Sequence, residues 1–270
     1  MSHLSELKAA FSAPSRTRSG KIFSNKPVLF LRSLLFACLL VLFTPLWAVI
    51  CFLTCWLPYR YRYAVTSRWN VATIWLAKTV CRIHYRVKGV ENLPDEPIIL
   101  LSKHQSAWET IFLLYAMPRP LSFVLKKELL YLPFFGWALA LLRMIPIDRR
   151  QGTGAFRQLV RKGRQRLKEG QWIIIFPEGT RIPPGQKGKY HQGGARLAIQ
   201  TGTRIVPIAV NAGICWPKNA FIKKPGIVTV SIGSPVSPAN KTPNELTDEV
   251  ESWIENEMQI LSPDVYHPNC

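Results

Sequence analysis

Acidic residues are scarce in this chain, and scarcest at its start. The 270 residues include 16 Asp and Glu against 35 Lys and Arg, a formal net charge of +19. From Met1 to Lys88 the only carboxylate is Glu6. Such a field favours anionic partners, whether nucleic acid, phosphorylated metabolites or an acidic membrane surface, and charge alone does not choose among them. Metal-binding patterns are also lacking. There are 5 histidines, and the cysteines Cys38, Cys51, Cys55, Cys81, Cys215 and Cys270 show no paired metal spacing, so they read as reduced, mostly buried thiols of a cytoplasm-facing protein. The His-Glu-x-x-His signature is absent and nothing resembles a nucleophile elbow, which disfavours zinc-hydrolase and serine-hydrolase chemistry. No internal repeat or low-complexity tract is visible, and the length suits one sizeable domain with a small appendage.

Uncharged apolar sequence is what the first third does have. Ser33 to Leu57, "SLLFACLLVLFTPLWAVICFLTCWL", lies between basic flanks. As one helix it would be about 37 Å long, enough for a hydrocarbon core of about 30 Å. Basic residues on both sides give no clear orientation, and Pro45 sits mid-run where it removes a helical hydrogen bond. These two facts predict a helical hairpin bent at Pro45, with arms of about 12 residues reaching about 18 Å, one leaflet deep, and both ends cytoplasmic. A single kinked span is the alternative. The run is too long for a cleaved signal peptide, and no small-residue cleavage site follows it. Trp47, Trp56, Tyr59, Tyr61, Tyr63, Trp69 and Trp75, with nearby arginines, suit the headgroup level. Residues 1–32 then form a basic N-terminal segment, 33–79 a membrane anchor with interfacial helices, and 80–270 the functional domain.

Beyond residue 80, short apolar runs alternate with helical patterns, which predicts an α/β fold with a mixed sheet flanked by helices. "RIHYRVKG", "PIILLSK", "LSFVLK", "MIPID", "QWIIIFP", "RIVPIAV" and "IVTVSIG" read as strands. "AWETIFLLYAM", "GAFRQLVRKGRQRLKEG" and "GGARLAIQTG" read as helices, and "ELLYLPFFGWALALL" as a broken one. Thr242, Pro243 and Glu245 open a C-terminal helix with a capping box, and Leu246, Val250, Trp253, Ile254 and Leu261 form its packing stripe.

Chemistry concentrates at strand ends. In "SKHQSAWET", His104 follows an apolar strand and Glu109 falls five residues later, a spacing that no single helix face accommodates. His104 therefore belongs to the turn, with Glu109 reaching back from the first helical turn to hold the imidazole's other N–H. A histidine–carboxylate pair without a protein nucleophile suggests a hydroxyl supplied by the substrate, activated by a general base. "FPEGTR" places Glu178, Gly179, Thr180 and Arg181 in one turn after another apolar strand; Arg181 suits bidentate phosphate contact and Gly179 lets a ligand approach the backbone. Lys126 and Arg149 end two further strands.

"HQSAWE", "IPIDR", "FPEGTR" and "IVPI" occur in the order and approximate spacing of the four sequence blocks of the glycerolipid acyltransferases, and the chain most closely resembles the bacterial lysophosphatidic acid acyltransferases over residues 80 to 235. The resemblance implies acyl transfer from a CoA or acyl carrier protein thioester to a glycerol hydroxyl of a phosphorylated acceptor. No metal or further cofactor is implied, and the partners would be membrane lipids and the thioester carrier rather than nucleic acid. The enzyme would be monotopic or integral in the inner membrane, its site facing the cytoplasm. By position, His104 would be the base and Glu109 its orienting carboxylate. Lys126, Arg149 and Arg181 would hold the acceptor phosphate, and Glu178 and Gly179 would shape the acceptor and acyl-carbonyl site, with Thr180 in the same substrate-binding turn. Three positions depart from the family: Glu109 stands for its usual Asp, Arg143 for a Gly opening the second block, and His191 for a frequent Lys after the third. Lysophosphatidic acid is the expected acceptor, with another lysophospholipid or glycerol 3-phosphate as alternatives. A lipid hydrolase using the same pair on water, or a non-catalytic membrane-binding protein, are the readings from other classes.

Overall fold

The structure, a computed structural model, describes residues 25–266. Most of the expected basic segment 1–32, and Cys270, lie outside them. Two helices come first, α1 (Lys26–Leu53) and α2 (Tyr59–Thr79). Seven strands follow: β1 (Ile83–Lys88), β2 (Ile99–Ser102), β3 (Leu121–Lys126), β4 (Ile145–Ile147), β5 (Trp172–Ile175), β6 (Ile205–Val210) and β7 (Gly226–Ile232). Between and after them run α3 (Trp108–Ala116), α4 (Phe135–Leu141), α5 (Thr153–Lys168), α6 (Gly193–Thr201), α7 (Pro243–Leu261) and α8 (Pro263–Tyr266).

The strands form one mixed sheet in the order β1-β7-β6-β2-β5-β3-β4, parallel in every pairing except β6 with β7. Its central strands are apolar throughout because both faces are covered. In β2 and the residue before it, Ile98 and Leu100 enter the core beneath α2, α3 and α4, while Ile99 and Leu101 enter the core beneath α5, α6 and α7. In β5, Trp172 and Ile174 alternate with Ile173 and Ile175 in the same way. Pro207, unusual in a central strand, sits where the partner of β6 changes from Val236 to β7, so its missing N–H costs no ladder bond to β7. The C-terminal helix carries the expected capping box at Thr242 and Glu245, and buries Leu246, Val250, Ile254 and Met258.

The hairpin bent at Pro45 is not what forms. Lys26–Leu53 is one continuous helix with Pro45 inside it, about 42 Å long, and the chain reverses at residues 54–58 into α2. Proline there removes a single bond, to the Val41 carbonyl, and the surrounding contacts outweigh that loss. Leu29, Ser33, Phe36, Leu40, Thr44, Ala48 and Cys51 recur every three or four residues as the covered stripe of α1. Trp69 of α2 donates its indole N–H to Thr44 Oγ1 (3.1 Å), Phe36 meets Trp216 edge-on at 5.3 Å, and the Ser33 hydroxyl accepts the Lys223 N–H (2.9 Å). The reversal falls where Thr54 caps the Cys51 carbonyl and Pro58 precedes α2.

Candidate active site

Because β2, β5, β3 and β4 are parallel neighbours, their C-terminal ends meet along one edge of the sheet. His104 leaves β2 in a turn and Glu109 lies in the first turn of α3, fully buried. His104 Nδ1 is 2.8 Å from Glu109 Oε1, which also accepts the backbone N–H groups of Gln105 (2.8 Å) and Ser106 (2.7 Å). An oxygen surrounded by donors is an acceptor, so the imidazole proton belongs on Nδ1 and the Nε2 lone pair is left for a substrate. Ser106 Oγ accepts the Trp108 N–H (3.0 Å), closing the turn that begins the helix.

The third block holds the first. The His104 N–H donates to Glu178 Oε2 (2.9 Å) and its carbonyl accepts the Ile182 N–H (2.8 Å). Phe176 stacks on the imidazole with ring centroids 4.0 Å apart, and Phe123 in turn stacks on Phe176 at 5.8 Å. Glu178 therefore faces inward, with Oε1 2.7 Å from Lys103 Nζ. Gly179 has φ +65, which favours glycine at this turn, and donates its N–H to the Phe176 carbonyl. Thr180 is exposed; Lys218 donates to its hydroxyl (3.3 Å) and to the Arg181 carbonyl (3.1 Å). The Arg181 guanidinium, half-buried, has no hydrogen-bond or ion-pair partner among the described residues.

Lys126 is exposed at the end of β3 and in register with Ile147 of β4. Arg149 follows β4 by two residues, in the short 3-10 turn Arg149–Gln151, and its side chain is outside the described parts. Besides Glu109, the two other positions that depart from the family are Arg143 and His191. Arg143 has φ 56, a backbone state that suits glycine, and its guanidinium turns to Glu169 (3.2 Å) and the face of Tyr59 (4.5 Å). His191 is exposed, tied by its N–H to the Pro177 carbonyl.

Residues 84–211 match the family model described as Acyltransferase. The chain is 47% identical over 238 residues to the 1-acyl-sn-glycerol-3-phosphate acyltransferase of Pseudomonas aeruginosa, covering 86% of this chain and 92% of the relative. The chain belongs to the 1-acyl-sn-glycerol-3-phosphate acyltransferase family. A Saccharomyces cerevisiae enzyme of the same name is 30% identical over 201 residues, 71% of this acyltransferase and 64% of the yeast chain. The crystal structure of the 1-acyl-sn-glycerophosphate acyltransferase from Thermotoga maritima shares the fold, with a TM-score of 0.75 at 22% identity over 88% of this chain and 97% of that one.

Sequence reasoning missed the support beneath the acyltransferase's histidine. Lys103, fully buried, places its ammonium between Glu178 Oε1 and Glu255 Oε1, each at 2.7 Å, with the Gln186 carbonyl at 3.3 Å. Tyr190 donates its hydroxyl to Glu255 Oε1 (2.8 Å). Burial raises the Glu178 carboxyl above the usual glutamate range; Lys103 opposes the shift and Glu255 adds to it. Burial, then the charges of Glu178 and Glu255, push the Tyr190 phenol well up, so it stays a neutral donor. The available signals were a lysine closing the apolar run of β2 and a glutamate one position after Ile254 on the buried stripe of α7.

Proposed function

We propose that this enzyme moves a fatty acyl group from a CoA or acyl carrier protein thioester to the sn-2 hydroxyl of lysophosphatidic acid, forming phosphatidic acid. The acceptor hydroxyl gives its proton to His104 Nε2 as its oxygen attacks the thioester carbonyl. The tetrahedral intermediate then collapses, the carbon–sulfur bond breaks, and the leaving thiolate takes the proton from the imidazolium. Glu109 keeps the imidazole in the required tautomer and stabilises its charged form while the proton is held. Arg181, with Lys126 and Arg149, binds the acceptor phosphate, and Gly179 and Thr180 line the approach. Glu178 acts through His104, fixing its backbone, as a positioning residue.

The carrying observation is a histidine held on Nδ1 by a buried carboxylate, whose Nε2 has no partner among the described residues, with the segment of the likewise unpartnered Arg181 tied to its carbonyl through the Ile182 N–H. Membrane attachment belongs to the same reading. α1 is the one helix among the described residues long and apolar enough to cross a bilayer, yet it contacts its own protein near both ends, through Phe30, which meets Phe221 at 5.5 Å, and through Phe52, which meets Trp137 at 6.2 Å. That geometry favours a helix lying in one leaflet of the inner membrane, with the catalytic domain on the cytoplasmic face.

The test offers purified enzyme radiolabelled lysophosphatidic acid, other lysophospholipids and glycerol 3-phosphate, each with both thioester types. Lysophosphatidic acid should be used best. His104→Ala should lower turnover by a factor of at least about 10² with membrane association intact. Arg181→Ala should raise KM for phosphorylated acceptors more than for the thioester. Turnover near wild type without the His104 imidazole would refute the mechanism.

A further inference from the structure

Between Lys126 at the end of β3 and the start of β4 lies a segment that spends aromatic side chains on solvent. Tyr131, Leu132, Pro133, Phe134 and Phe135 are exposed in succession, and Trp137 follows at 49% exposure. A run of this kind has no place on a water-facing surface unless something covers it.

The turn is built to project these residues. A Cβ at Gly136 would sit 2.0 Å from the Leu130 carbonyl oxygen, so only glycine lets the chain fold back so closely. The Gly136 N–H closes on the Leu132 carbonyl (2.7 Å). Phe134 has φ 62 and ψ −52, a positive-φ state that an aromatic residue rarely adopts. With the backbone pulled inward, the rings stand outward, and Phe134 packs edge-on against Trp137 at 5.2 Å.

We infer that the Tyr131–Trp137 segment is a second bilayer-contact element, carried by the catalytic domain itself, with lipid acyl chains as its occupant. It continues the surface that α1 offers. Trp137 meets Phe52 at 6.2 Å, and on the same end of α1 Val49, Phe52, Leu53 and the following Trp56 are exposed. Lys126 and Lys127, both exposed, flank it on the strand side, the arrangement of an interfacial element whose aromatics enter the lipid while ammonium groups remain at headgroup level. α7, whose exposed Ile260 stands alone, packs on the opposite face of the sheet. The segment also joins β3 to β4, so inserting it brings the strand-end cations Lys126 and Arg149 down to the headgroups. A lipid acceptor can then reach the site sideways from its leaflet.

The inference rests on the membrane-attachment reading above, and its test separates the two. Full-length enzyme carrying photoreactive benzoylphenylalanine at Phe134 or Phe135, at Leu42 of α1, or at Ile260 of α7 is reconstituted into vesicles of phosphatidylethanolamine and phosphatidylglycerol and irradiated. Lipid adducts at positions 134 and 135 well above the yield at 260 are expected, whatever position 42 gives. Yields at 134 and 135 no higher than at 260, or adducts only to a second protein chain, overturn the inference. Absence of adducts at 42 counts against attachment through α1. In parallel, the double variant Phe134→Ser with Phe135→Ser should raise KM for a long-chain acceptor in vesicles roughly tenfold. Its kcat/KM for a short-chain, water-soluble acceptor should be unchanged. An equal loss on both acceptors would mean that the two rings serve the fold.

Discussion

At the scale of single residues, the histidine depends on a charge that never meets water. Lys103 is adjacent to His104 in sequence, yet it faces away from the site and joins Glu178 of the third block to Glu255 of α7. Two carboxylates share one ammonium in a dry cluster, and removing the ammonium leaves them uncompensated, an event that costs about 3–5 kcal/mol in comparable buried sites. Lys103→Met should therefore lower Tm by roughly 5–15 °C at neutral pH. The sign of its pH dependence follows from Glu178. Its folded-state pKa is raised, so its contribution to stability is greatest below the ordinary glutamate range and shrinks as pH rises through the raised value. Losing Lys103 removes the interaction that holds this shift down, so the Tm deficit should widen from mildly acidic to mildly alkaline buffer. Adding Glu255→Gln should recover part of it. A deficit independent of pH would show that the cluster is not charged in this way. The pairing was illegible in the sequence because Lys103 and Glu255 lie 152 positions apart, and a lysine after an apolar strand looks like a surface residue until the fold covers it.

At the scale of elements, the patterns that could be read were those whose burial repeats along the chain. β2 and β5 were legible as short apolar runs because helices cover both sheet faces, and α7 because its box and its stripe agree. The His104 turn was legible because five positions cannot share one helix face. Pro45 misled because a local rule was applied without the tertiary contacts that override it: the covered stripe runs from Leu29 to Cys51 through the proline without a break. The broken-helix reading of "ELLYLPFFGWALALL" located the interruption, between Lys127–Tyr131 and α4, but not the outward turn of its rings, which follows from Gly136 and the φ of Phe134. Because α1 is continuous, Pro45 is a tolerated defect. Pro45→Ala should then stabilise the enzyme, by up to about 3 kcal/mol, by restoring the bond to the Val41 carbonyl. A rise in Tm with activity retained is the expected result; a loss of stability would indicate that the helix needs a bend at this position.

At the scale of the whole molecule, a helix of spanning length has been turned into one side of a catalytic domain. α1 supplies Phe36 to the same core as Trp108 of the His104 turn and Val230 of β7, while its outer face leaves Val41, Leu42, Leu46 and Val49 bare. If that helix crossed the membrane, the contacts of Phe30 with Phe221 near one end and Phe52 with Trp137 at the other would draw the sheet into the hydrocarbon with it. Charged surface residues on α5 and α7 would then lose their water at a cost no apolar contact offsets. Lying in one leaflet avoids that cost and keeps the start of α1 on the catalytic side. Cysteines introduced separately at Asn25, just before α1, and at Asn240, in the exposed turn before α7, should therefore share one topology. An impermeant polyethylene glycol maleimide should add a gel shift over the parent protein at both positions in inside-out vesicles, and at neither in right-side-out vesicles. A shift at position 25 in right-side-out vesicles alone would mean that α1 spans the bilayer. The domain contacts at its two ends would then have to open in the membrane, so the same variant should also lose any disulfide engineered between α1 and the loop at Trp216.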